Sequence, residues 1–412
     1  MYLCTLLTLV ILLSIYFIYR RKNNSLTIGN YILLLYGLSV SLTFLNNNQD
    51  IIFSIEATFF FNLILLLFLI PIIKYKGDTF INLSPKQIIL FNKISYFFIW
   101  TGIATILFFL QAVIRVFTSD VSLLVLRTNM VGGERYVNTG FLLNIFNLIS
   151  QFYPIILIFY FYSITFLKKS KRFNTLLLIS STSYIFNVLS AVGRDGFILW
   201  LMSYLFAFLI FKNYMIRNVY RKQIKIFFYF FTIALVFLIP ITVSRFFYQG
   251  KKAGIESLVN YSGSQFANFN NIFNRVPNPE KHGSLYNLFP ILNLNKNNNE
   301  DFLTEWENRV WVLGIDPNIF STFIGSIYLE IGKLGTFIFA VCFSIIGNFI
   351  SRASKTTSFS RILLLTLFSQ IVLHGLFYYK LAYTVSNIYM ISVVILSILF
   401  RVKKGDGIIN RM

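Results

Sequence analysis

The chain has 412 residues, 56% of them apolar, a mean hydropathy of +0.69 and only 12% charged side chains. A water-soluble globular domain is nearer 25% charged, so that class is excluded. Apolar runs recur from Tyr2 to Phe400 with no gap long enough for a separate soluble domain, and Cys4 and Cys342 both lie inside such runs. Neither a disulfide framework nor a cysteine metal site is therefore available. The composition predicts an all-α polytopic membrane protein, with 1–412 as a single integral membrane domain.

A helix needs about 20 residues to cross the roughly 30 Å hydrocarbon core. Taken in chain order, the apolar runs predict spans at 2–19, 31–45, 51–73, 94–114, 141–167, 173–190, 197–211, 226–243, 335–350, 362–379 and 383–400, about 11 in all. Several are short and must borrow flanking residues. The first run is expected to be a retained span and not a cleavable leader: no basic segment precedes it, Arg20-Arg21-Lys22 follows it, and no small-x-small site closes it.

Lysine and arginine set the expected orientation. Alternate connections carry basic clusters: Arg20–Lys22, Lys74–Lys93, Lys168–Arg172, Lys212–Lys225, Arg352–Arg361 and Arg401–Arg411. These hold 23 of the 36 basic residues and two acids, Asp78 and Asp406. The opposite connections hold 13 bases and 13 acids, so the whole net charge of +21 falls on one side. The charge is topogenic, and nucleic-acid binding loses its only support. The N-terminus is expected outside and the C-terminus in the cytoplasm, which requires an odd number of spans.

Two exterior loops are long, 115–140 and 244–318, and polar residues collecting there against an apolar background are functional candidates. The exterior side carries Arg115, Arg127, Arg135, Arg194, Arg245, Arg275 and Arg309, and arginine suits bidentate phosphate binding better than lysine does. Gly193-Arg194-Asp195-Gly196 opens the span beginning Phe197-Ile198-Leu199-Trp200. Free N–H groups and the positive dipole end of that helix, with Arg194, suit a phosphate on a lipid. The competing reading is a tight turn with Asp195 as N-cap and Arg194 reaching to headgroups. Arg245 leaves its span at the same depth and is a second cation for the same anion, or an interfacial anchor.

His282, in Lys281-His282-Gly283, is a general-base candidate because imidazole titrates near neutrality; solvated surface is the competing reading. His374 lies in a span and is expected to be a packed core histidine. From 319 to 350 the chain stays apolar for 32 residues, about 48 Å as one helix, so a break is expected at Gly332–Gly335. The first half then presents Tyr328 and Glu330, the latter as a base, a sugar ligand or a salt-bridge partner. No Walker lysine motif, dinucleotide glycine motif, H-E-x-x-H or G-x-S-x-G occurs. The first exterior connection, Asn46–Asp50, lacks the paired acids that many polyprenyl-phosphate-sugar glycosyltransferases carry there.

This layout resembles the O-antigen polymerases (Wzy, oligosaccharide repeat-unit polymerases). It rests on about eleven spans, Gly193-Arg194-Asp195-Gly196 before a short span, and a large late exterior loop. Asn318-Ile319-Phe320-Ser321 through Tyr328-Leu329-Glu330-Ile331-Gly332-Lys333-Leu334-Gly335 is similar to the family's Asn-x-Phe-(Ser/Thr) … Tyr-x-(Asp/Glu)-x-Gly-x-x-Gly pattern. The architecture covers the whole chain and the motifs only about 190–330. The resemblance implies a GT-C-like glycosyltransferase of the bacterial inner membrane in lipopolysaccharide biosynthesis, with a periplasmic active site and large periplasmic loop. It would transfer a growing glycan from undecaprenyl pyrophosphate to the non-reducing end of the next lipid-linked repeat unit, without nucleotide sugar, cofactor or metal. Membrane lipids and a chain-length regulator are the implied partners. In that reaction Arg194, Arg245 and Arg309, with Asp195 and Asn318, would bind substrate, and His282 or Glu330 would accept the proton. Tyr328, Trp306 and Trp311 would stack on sugars, although interfacial aromatics belong to any membrane protein. The alternatives are an O-antigen ligase or another GT-C transferase on the same carrier, and a lipid-linked oligosaccharide flippase. A flippase should show two similar halves, and the loop 244–318 has no counterpart in the first half.

Overall fold

The computed structural model describes residues 1–22, 26–46, 51–75, 77, 79–131, 140–246, 254–255, 263–293, 302–316, 320–351 and 356–401. These residues are nearly all helical, and seven helices are long and apolar enough to cross a membrane, or eight if one bent pair counts as a single span. The count of eleven expected spans is therefore not reproduced as such. Two of the shortfalls are short helices, Phe359–His374 and Thr384–Leu399. The third is the run 173–190, which is broken in the middle.

The chain divides into two compact units, described in turn. The first comprises residues 1–76, 255–353 and 367–390. It contains helices α1 (Tyr2–Lys22), α2 (Ile28–Leu42) and α3 (Ile55–Ile73). Thr27 and Ser54 cap α2 and α3, each accepting a backbone N–H, from Asn30 and Ala57 respectively. Inside the apolar bundle Asn62 donates to Thr8 Oγ1 at 2.9 Å, tying α3 to α1 by a polar pair. Gly29 lets α2 approach α3, because a Cβ there would stand 2.7 Å from the Ile73 Cα.

The expected late loop is largely built structure in this unit. Helix α12 (Ser264–Arg275), a one-turn helix α13 (Leu285–Leu288) and helix α14 (Phe302–Leu313) occupy much of it. Helix α15 (Thr322–Ser351) carries the predicted break, with Gly332 at φ 66° and ψ −173°. Gly335 serves the same bend: a Cβ added to it would crowd the Ile331 side chain across the break, 2.8 Å from its Cβ. Thr322 to Glu330 is buried almost throughout, whereas the second half turns Leu334, Ile338, Ile345, Ile346 and Phe349 outward. Phe68 of α3 sits between Phe323 and Phe343, with ring centroids 4.7 and 4.3 Å away, so α3 packs on both halves of α15.

The second unit comprises 77–254, 354–366 and 391–412. It holds α4 (Pro85–Thr118), α5 (Leu123–Val131), α6 (Phe141–Gln151), α7 (Tyr153–Tyr162), α8 (Lys171–Ser180), α9 (Ser183–Leu189), α10 (Asp195–Phe211) and α11 (Arg217–Phe246). A capping box of Ser84 and Gln87, with Pro85 in the first turn, starts α4. Helices α6 and α7 meet at a 42° bend around Phe152, where Pro154 follows. Helices α8 and α9 are separate because Ser180, Ser181 and Thr182 each donate a side-chain hydroxyl to the carbonyl three residues back, at 2.8, 2.6 and 2.7 Å. Such bonds offer the backbone an alternative to the helix ladder. The core is aromatic: Phe91, Phe159, Tyr162 and Phe359 form one cluster. Gln223 accepts from both Tyr160 and Tyr204 at 2.8 Å. One two-residue parallel pairing, Thr79–Phe80 with Thr356–Thr357, is the exception to all-helical structure among the described residues.

Candidate functional site

The candidate residues fall into two groups, one in each unit. In the first unit the chain after α12 makes a tight turn at Pro279–Lys281, with the His282 and Gly283 N–H groups both bonded to the Pro279 carbonyl at 3.0 and 2.9 Å. Gly283 packs directly on the backbone of Glu330, whose carbonyl oxygen an added Cβ would overlap. The turn is thereby pressed against the end of the first half of α15.

Glu330 is 9% exposed and fully engaged. Its Oε1 accepts from Arg309 Nη2 at 2.6 Å, and its Oε2 accepts from the Ser284 N–H at 3.1 Å and from Asn287 Nδ2 at 2.7 Å. A buried carboxylate is tolerated only when paired and hydrogen-bonded in this way. Two segments therefore converge on this side chain, α13 with its N-cap Ser284 and α14 through Arg309, while the turn after α12 packs on the Glu330 backbone through Gly283. An oxygen pair holding three donors is a strut, and of the three roles open to Glu330 the structure matches salt-bridge partner. His282, one residue before Gly283, is exposed, and its imidazole has no hydrogen-bond or ion-pair partner among the described residues.

Lys333, just past the break, pairs with Glu56 in the first turn of α3 at 2.7 Å. Its ammonium also lies 4.4 Å from the centroid of the Phe273 ring. Tyr328 departs from expectation. It is fully buried, donates its hydroxyl to the Val276 carbonyl at 2.7 Å and stacks on Phe273 at 5.3 Å. A ring packed on both faces by protein has no free face for a sugar, so Tyr328 is a core residue. Asn318 and the Trp306 side chain lie outside the described residues, and Trp311 is exposed.

In the second unit the turn between α9 and α10 carries Arg194 and Asp195. Gly193 is required there because a Cβ would meet Val188 Cγ1 at 2.5 Å, and Val192 takes φ 54° to make the turn. Arg194 Nη1 donates to Thr242 Oγ1 in the last turns of α11 at 3.4 Å. Asp195 is not the N-cap: Arg194 occupies that position, without a side-chain cap bond, and Asp195 is the first helical residue. Its carboxylate accepts from the Tyr184 hydroxyl at 3.3 Å. An acid in the first turn already counters the positive end of the helix, so any anion affinity at this turn rests on guanidinium groups. Arg127, one of the exterior arginines named from the sequence, donates from α5 to the Ala191 carbonyl in the same turn at 2.7 Å. Arg245 is in the final turn of α11, and its side chain lies outside the described residues.

Among the described residues no group of three or more His, Cys, Asp or Glu is placed to hold a metal ion. His374 is buried in helix α16 (Phe359–His374), as expected of a core histidine. Ser284 and Asn287 are the residues around Glu330 that the sequence did not announce; Asn287 sits 43 positions from Glu330, and no local spacing reports such a pair. No family model, curated protein or solved structure matches the chain.

Proposed function

We propose that the chain is an O-antigen polymerase with a GT-C-like fold. It moves a growing glycan from undecaprenyl pyrophosphate to the non-reducing end of the next lipid-linked repeat unit, on the periplasmic face of the inner membrane. The observation that carries the reading is the polar assembly at the break of α15, where Glu330 gathers Arg309, Asn287 and Ser284 and holds the His282 turn. Polar groups are expensive beside apolar spans, and so many of them built around a broken helix support a working site there. The break falls within the Tyr328–Gly335 motif on which the resemblance rests.

In this reading the acceptor hydroxyl attacks the anomeric carbon of the donor sugar as the bond from that carbon to the pyrophosphate oxygen breaks. The hydroxyl proton goes to the His282 imidazole, whose nitrogens are engaged by no described residue, while Glu330 acts as a positioning residue. The negative charge left on the pyrophosphate calls for guanidinium groups, and the resemblance offers Arg194 and Arg245 for that role.

The test is lipopolysaccharide gel analysis of a deletion strain complemented with wild type, His282→Ala or Arg194→Ala. A polymerase predicts loss of the ladder with a single repeat unit still on the core. Bare core with free lipid-linked polymer overturns the reading in favour of a ligase, and loss of the single capped unit overturns it in favour of a flippase or earlier step. A full ladder from both variants refutes these residue assignments.

A further inference from the structure

The outward face of α14 changes character along its length. Glu307 and Asn308 are exposed in its middle turn, and Trp311 (88% exposed) and Val312 (49%) are exposed in its last. Arg309 and Leu313 face inward, the first onto Glu330. Elsewhere in the same loop Tyr286 and Leu292 are also bare, 52% and 60% exposed. Large apolar side chains left bare on a loop otherwise rich in polar residues call for an occupant.

The second half of α15 identifies it. From Leu334 to Phe349 that helix turns a stripe of apolar side chains outward, about 22 Å long at 1.5 Å per residue. A stripe of that chemistry suits hydrocarbon, and its length fits within the roughly 30 Å core. It begins directly after Lys333, which with Glu56 forms a charged layer at the end of the stripe. Arg309 is bonded to Glu330, three residues before Lys333 across the break, and so within about 11 Å of that layer along the chain. Trp311 follows Arg309 by two residues, about 3 Å along α14. The interfacial zone of a bilayer is roughly 5–7 Å deep on each side, and tryptophan is enriched there.

We propose that the last turn of α14, with Trp311 and Val312, is an interfacial anchor that lays the late loop on the lipid headgroup boundary. Trp311 then serves the membrane rather than a sugar ring. The Arg309–Glu330 pair transmits that placement to the turn bearing His282. The proposal does not depend on glycosyl transfer, only on the membrane position of α15.

The test is spin labelling of the full chain in vesicles of phosphatidylethanolamine and phosphatidylglycerol. Cys4 and Cys342 are first replaced by serine. Single labels follow at Trp311→Cys, Val312→Cys, Glu307→Cys as an aqueous reference and Ile338→Cys as a lipid reference. Collision rates with oxygen and with a water-soluble nickel chelate are compared. The expected oxygen-to-nickel ratio at 311 and 312 is several-fold above that at 307 and approaches that at 338. A ratio at both positions equal to that at 307 overturns the proposal, as does shielding from both reagents, which would mean a protein or glycan contact. All four sites are exposed, so the labels leave the core packing intact.

Discussion

Replacing Gly332 with alanine separates two costs that coincide at the break of α15. The first is backbone: φ 66° with ψ −173° belongs to a region essentially confined to glycine, and holding another residue there costs about 1–3 kcal/mol. The second is steric, since the new Cβ would overlap Glu280 Oε2. Glu280 is exposed, and a long surface side chain swings aside at little cost, so the backbone should dominate. The measurement is thermal unfolding in detergent of Gly332→Ala, Glu280→Ala and the double variant. The expected result is a loss of about 1–3 kcal/mol for Gly332→Ala, with Glu280→Ala near neutral and no rescue in the double. Rescue of most of the loss by Glu280→Ala would show that the overlap, not the dihedral angles, sets the cost. A neutral Gly332→Ala would refute the break at this residue.

Three further variants probe the assembly around it. Arg309→Ala leaves a carboxylate with 10% of its side chain exposed and two of its three donors. The cost should be about 2–3 kcal/mol, below the 3–5 kcal/mol of a fully buried broken pair. Glu330→Gln leaves the 27% exposed arginine to water and should cost less, about 1 kcal/mol; the reverse order in denaturation would refute the strut. Tyr328→Phe removes one buried hydrogen bond, to the Val276 carbonyl, for about 1 kcal/mol. It should leave the glycan ladder of the proposed reaction unchanged, and a shortened ladder at normal protein level would give that buried hydroxyl a substrate role.

The helices were legible because apolar runs flanked by basic clusters and serine caps obey local rules. Ser54 and Ser84 cap the starts of α3 and α4, and the overlong run 319–350 had to break at the glycines available to it. The break at Ser181–Thr182 was legible in principle, since four consecutive hydroxyl residues at 180–183 compete for the backbone; apolarity outweighed them. Partnerships across the loop were not legible. Glu330 and Arg309 are both exterior by pattern, but only the folded loop makes them a pair. Tyr328 was misread through its nearness to Glu330 in sequence. Two residues apart on a helix means about 200° apart in direction, so one faces the Phe273 core while the other meets the loop.

That same 200° explains why the motif region has two kinds of residue. An unbroken helix of 30 residues would run about 45 Å, past the hydrocarbon and into water, and it would carry one outward stripe along its length. By breaking at Gly332, α15 separates a first half buried on nearly every side from a second half with a single lipid-like stripe. The first half can then spend Tyr328 on packing and Glu330 on the loop without exposing either to hydrocarbon. The turn that carries His282 rests on Glu330, so its position follows from the break rather than from the loop's own sparse structure. A loop variant that left the Glu330 contacts intact should therefore keep the turn in place. Gly332→Ala would strain that support with every loop residue unchanged.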